Sequence, residues 1–92
     1  MGAYSEAKIQ RVLKRMSNEK RRTEVAKLIA MFDRTDRIGL VLVLRDAESH
    51  GKYIAARNLI AKLPKSHGLN PHTWFYLYRS LGIMPSERTR IH

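Results

Sequence analysis

Apolar positions along this chain recur mostly three and four residues apart, the spacing of one face of an α-helix. Ile9, Val12, Leu13 and Met16 form the first such run, with Ser5 as a capping residue, Glu6 in the first turn, and Lys8, Arg11, Lys14 and Arg15 on the other side. A second helix is predicted from Ser17 or Asn18, carrying Val25, Leu28, Ile29 and Phe32 on one side and ending before Asp33 to Thr35. Thr35 and Asp36 mark a third start. The segment that follows, Ile38 to Ala47, holds Ile38, Leu40, Val41, Leu42, Val43 and Leu44 in nearly unbroken sequence. Its β-branched content and short length suit a buried strand, yet the chain offers no convincing partner strand, which favours a central helix buried on most sides. His50 and Gly51 break it, and Lys52 to Leu63 resumes a helical pattern through Tyr53, Ile54, Ala56, Leu59, Ile60 and Leu63, stopped by Pro64.

The last predicted helix has the sharpest boundaries. Asn70 is a good acceptor for the exposed amides of a first turn, and Pro71 has the fixed φ and missing N–H that suit the first helical position. Trp74, Leu77, Tyr78 and Leu81 then recur at i, i+3, i+4 and i+7, and Gly82 supplies the left-handed residue that commonly ends a helix. His72, Phe75, Tyr76 and Arg79 fall on the opposite face. The expectation is an all-α fold, a compact bundle of about five short helices, in a single domain spanning residues 1–92 with a polar basic tail over 84–92.

Composition changes this picture in one direction. Eighteen Lys and Arg against eight Asp and Glu give a net charge of +10, so the surface seeks polyanions: nucleic acid first, then an acidic protein or anionic lipid. The charge is unevenly placed. Residues 1–50 hold eleven Lys and Arg and seven acids, whereas residues 51–92 hold seven Lys and Arg and one acid, Glu87. No Asp or Glu occurs from Lys52 to Ser86, where Lys52, Arg57, Lys62, Lys65 and Arg79 are free to meet a phosphate backbone. A second basic group, Lys14, Arg15, Lys20, Arg21 and Arg22, surrounds the junction of the first two helices, as a further phosphate contact or as a simply solvated junction. The chain has no cysteine, which excludes disulfides and thiolate zinc sites. Its longest apolar run, Ile38 to Leu44, is too short to cross a bilayer, and no secretory signal is visible; the expectation is a cytoplasmic protein, nucleoid-associated or in a host-cell cytoplasm, with no membrane partner.

Gly68, Leu69, Asn70, Thr73, Leu81, Gly82 and Ile83 resemble the turn and recognition helix of helix-turn-helix regulators of the factor for inversion stimulation type. The match is limited to the last third of the chain. Such motifs want a glycine in the turn, an apolar residue after it and two more on the inner side of the second helix, places filled by Gly68, Leu69, Trp74 and Leu77. The resemblance implies a C-terminal helix-turn-helix in which Asn70, His72, Phe75, Tyr76 and Arg79 project toward base edges or sugars. Pro64, where the first helix usually has a small residue, departs from the pattern, as do the two aromatics on the reading face.

Chemistry assigns roles within that frame. Arg79 suits guanine, whose two acceptors match its planar fork, or else a phosphate. His72 and Thr73 lie at the helix N-terminus, where free amides favour an anion. Phe75 and Tyr76 suit thymine methyls, or form an aromatic pair covered by a dimer mate. Lys52, Arg57, Lys62, Lys65, Arg88 and Arg90 supply sequence-independent attraction, the last two from the tail. Catalysis is not expected. No pair among His50, His67, His72 and His92 has the spacing of a helical metal site, no phosphate-binding glycine loop occurs, and Ser49 beside Asp46, Glu48 and His50 reads as a helix-end surface group. No cofactor is implied. The sequence thus predicts a small basic DNA-binding protein, a transcriptional regulator that reads duplex DNA with residues 71–81 as a homodimer, with Val41, Val43 and Phe75 as spare apolar groups for the dimer. The alternative is a viral or mobile-element interaction protein that binds RNA or an acidic host protein through the same basic and aromatic face.

Overall fold

A computed structural model describes residues 2–16, 18–65 and 69–85, with side chains from residue 6 onward. Its five helices are α1 (Gly2–Lys14), α2 (Glu19–Ile29), α3 (Arg34–Ser49), α4 (Tyr53–Ala61) and α5 (Pro71–Leu81). The all-α expectation holds, and residues 38–47 are helical throughout. The reason lies in packing: each of the other four helices touches α3. A segment with apolar neighbours on every side has no polar face to display, so Leu40, Val41, Leu42, Val43 and Leu44 are all buried in succession. Val41 and Val43 therefore belong to the core and are not spare groups for a dimer.

Helix starts differ from expectation at two places. α1 begins at Gly2, which puts Ser5 inside the helix instead of at its cap. α3 begins after Asp33, whose side chain accepts the Arg34 N–H, so Thr35 and Asp36 lie in its first turn. The displaced Asp36 has a different task. Its buried carboxylate accepts the Leu69 N–H at 3.1 Å to each oxygen, tying the chain just before α5 onto α3. α2 starts as predicted, with the Asn18 side chain accepting the Arg21 N–H, but closes at Ile29, and Phe32 is buried beyond its end.

The ends of α5 follow the sequence closely. Asn70 accepts the Thr73 N–H at 3.1 Å and Pro71 occupies the first turn. Gly82 adopts φ 67°, and the N–H groups of Gly82 and Ile83 return to the carbonyls of Arg79 and Tyr78, the bond pair of a Schellman ending. The expected tight turn ahead of α5 is replaced by a longer connection. α4 ends at Ala61 and residues 62–70 intervene, against the roughly three or four of a helix-turn-helix turn. Gly68 lies outside the described residues. α5 packs on α3 as well as α4. Trp74 lies against Gly39 of α3, and the Tyr78 hydroxyl donates to Asp46 of α3 at 2.7 Å.

Candidate nucleic-acid interface

Successive residues of an α-helix are rotated by about 100°, so the burial of Leu77, Tyr78 and Leu81 fixes what α5 shows to solvent. His72, Phe75, Tyr76 and Arg79 form that outer strip, all exposed, as the sequence predicted. The strip has two unlike flanks. On one side, α4 and α5 enclose a cleft of about 310 Å³ whose polar lining is Lys52, Asn58, Lys62 and Ser80. On the other, Phe75 and Arg79 turn toward α3 and edge an apolar groove. The two aromatics thus part company: Phe75 belongs to the groove, and Tyr76 does not line it.

The predicted cations do not form one patch. Lys52 and Lys62 both line the cleft beside α5. Arg57 sits on the other flank of α4, where it bonds Glu24 of α2 at 3.4 Å. Lys65 turns back over α4, donating to the carbonyls of Ala61 at 2.6 Å and Leu63 at 3.0 Å, with its ammonium 5.2 Å from the centre of the Phe32 ring. It caps the negative end of a helix and stacks on an aromatic face, both local tasks. Asn70 and Thr73 bond each other at the start of α5, so their first service is to the helix. Arg88 and Arg90 lie outside the described residues.

Within the second basic group, Arg21 pairs with Glu48 at 3.4 Å and lies 4.7 Å over the Tyr53 ring, while Arg22 donates to the Met16 carbonyl at 3.1 Å. Those two arginines hold helices together. Lys14, Arg15 and Lys20 remain on the exposed surface.

The carboxylates bonded to α5 and its lead-in are withdrawn from solvent. Asp36 and Asp46, which make those bonds, are 5% and 2% exposed. Asp46 also meets Arg45 at 3.3 Å. Glu24 accepts from Tyr53 at 2.8 Å, a bond that holds its carboxyl below the ordinary 4.5. Burial, and then the same bond, raises the Tyr53 phenol above its ordinary value.

Among the described residues, Ser49, His50 and Asp46 do not line up as a charge relay. Ser49 Oγ lies 3.3 Å from His50 Nδ1, but that ring nitrogen contacts the Asp46 backbone carbonyl at 2.8 Å while the Asp46 carboxylate faces Tyr78 and Arg45. Asn58 and Ser80 are the cleft residues that sequence reasoning missed. Lys52, Ala55, Leu59 and Lys62 recur at i, i+3, i+7 and i+10 along α4 and its two caps, a stripe visible in the sequence that would have led to Asn58 beside it, whereas Ser80 comes from α5.

No protein-family model, curated protein or solved structure matches the chain. Among the described residues, no helix is long and apolar enough to cross a membrane.

Proposed function

We propose that the chain is a small basic DNA-binding protein, a transcriptional regulator that offers α5 to the major groove of duplex DNA. Arg79, His72 and Tyr76 face the base edges, and Lys52 and Lys62 meet phosphates along one flank. One observation carries this reading. The outer strip of α5 and the cleft beside it hold cations and hydrogen-bonding groups, while among the described residues the carboxylates bonded to α5 and its lead-in, Asp46 and Asp36, are buried. A phosphate backbone approaching that side meets attraction without a compensating repulsion. Reading of symmetric half-sites requires a second copy of the chain, as in dimeric regulators.

The test is retention on random duplex DNA at low salt followed by selection from a random-sequence pool, with light scattering for the mass of the protein. Enrichment of a palindrome and a mass of two chains support the regulator. Arg79→Ala then relaxes sequence preference at one position, by about 1–3 kcal/mol of discrimination. Retention without enrichment indicates sequence-independent binding, and affinity that barely moves between low and physiological salt rules out the electrostatic mechanism.

A further inference from the structure

The flank of α5 turned away from the cationic cleft encloses with α3 a groove of about 770 Å³, floored by Ile38, Gly39, Leu42 and Trp74 and edged by Phe75 and Met84. The two edge residues are 74% and 73% exposed, the highest values among the large apolar side chains described. Large apolar groups left in water beside an apolar trough mark a binding surface. Gly39 contributes by what it lacks: without a β-carbon it lets the Trp74 indole lie down on α3 and sinks the floor of the groove.

We propose that this groove receives an acidic amphipathic helix of a partner protein, its apolar anchors lying in the groove and its carboxylates meeting Arg79 and neighbouring cations. Charge selects the occupant. Arg79 is the only charged side chain among the described residues that line the groove, Arg34 is exposed next to the lining residue Thr35, and the whole chain carries +10. A second copy brings the same sign of charge to the same place. Residues 86–92 supply one aliphatic group, Ile91, set between Arg90 and His92.

Length agrees with a helix. The groove follows α3 from Thr35 to Val43, about 12 Å along the axis at 1.5 Å per residue, which matches two turns of a partner helix with anchors at i, i+4 and i+7. Met84 at the edge, with a flexible thioether, adapts to anchors of different shape. The proposal does not depend on DNA binding: groove and cleft occupy opposite flanks of α5, and Arg79 is the one residue that both readings use.

Trp74 is the only tryptophan in the chain, so its emission reports occupancy directly. The probe is a synthetic amphipathic peptide of about four turns with leucine at the anchor positions and glutamate on its remaining faces. Two controls accompany it: a counterpart with lysine in place of glutamate, and one with the same composition and scrambled leucines. The acidic peptide is expected to shift Trp74 emission to shorter wavelength with saturable binding in roughly the micromolar range, and neither control to bind. Met84→Ser and Phe75→Ser, both at exposed positions, are expected to weaken binding at least about tenfold with the unfolding midpoint unchanged.

An equal response to the lysine peptide, or no response to any, overturns the proposal. An emission shift that follows protein concentration alone, with a doubled mass, assigns the groove to a second copy and overturns it too. Duplex-DNA binding is measured separately by anisotropy, so its failure beside intact peptide binding sinks only the DNA reading.

Discussion

The indole of Trp74 on α5 lies so close to Gly39 on α3 that a β-carbon at Gly39 would sit 2.5 Å from Cη2 of the ring and 3.0 Å from two further ring carbons. Two helices far apart in sequence are thereby seated on one another at a position where only glycine leaves room.

Gly39→Ala tests that contact. Alanine in a helix interior is worth about 1 kcal/mol over glycine, whereas overpacking costs about 1–3 kcal/mol, so the ring contact outweighs the propensity gain. A net loss of about 1 kcal/mol is expected in urea unfolding, with Trp74 emission moved to longer wavelength as the ring is pushed toward solvent. A variant more stable than the parent would mean that the indole slides aside freely.

The buried bond from Tyr78 to Asp46, at 2.7 Å, is the polar counterpart of that apolar contact. Tyr78→Phe keeps the ring in place and removes the hydrogen bond to the Asp46 carboxylate, an expected loss of about 1–3 kcal/mol by urea unfolding. An unchanged midpoint would show that the hydroxyl contributes nothing to the docking of α5.

The Tyr53–Glu24 pair makes stability depend on pH at both ends. Glu24 is depressed below 4.5 in the folded protein, so its contribution is present above that value and is lost as pH falls from there through the lower folded-state value. Tyr53 is raised above 10.0, so its contribution is present below that value and is lost as pH climbs past it. Urea midpoints measured against pH are expected to decline on both sides. Tyr53→Phe flattens the acid decline, because its hydroxyl is the main cause of the Glu24 depression, and removes the share of the alkaline decline that Tyr53 itself supplies. Identical profiles for the two proteins would refute this linkage.

Cations that look alike in sequence should separate in function. Arg57, bonded to Glu24 on the far flank of α4, is expected to change duplex-DNA affinity by less than about twofold when replaced by alanine, while Lys52→Ala and Lys62→Ala together reduce the slope of log affinity against log salt by about 2. Electrophoretic titration at several salt concentrations decides. Equal losses from Arg57→Ala and Lys62→Ala would show that net charge alone sets binding.

The sequence disclosed α5 almost completely, because a cap, a proline and a glycine act locally and leave a local signature: Asn70, Pro71 and Gly82 behave as their chemistry requires. Residues 38–47 were harder, since a helix surrounded by apolar neighbours loses the periodic pattern that marks an amphipathic one, and its β-branched residues imitate a strand. The starts of α1 and α3 were misplaced where capping residues crowd together, as with Asp33, Thr35 and Asp36. Site residues were legible as a face and illegible as partners. Helical spacing put His72, Phe75, Tyr76 and Arg79 outward, but the engagement of Arg57 with Glu24 and of Lys65 with the end of α4 arises from the folded arrangement. The same holds for the parting of Phe75 from Tyr76.

The central position of α3 bears on the order in which the chain is made. As the polypeptide leaves the ribosome, the stretch from Leu40 to Leu44 emerges before α4 and α5 exist to shield it, and a bare aliphatic run of that kind is prone to self-association. α1 and α2 precede it and both contact it in the finished fold, so they are already at hand to act as a temporary sheath. Shortening the N-terminal helices should therefore harm the yield of newborn protein as well as the stability of the finished fold, whose core they share.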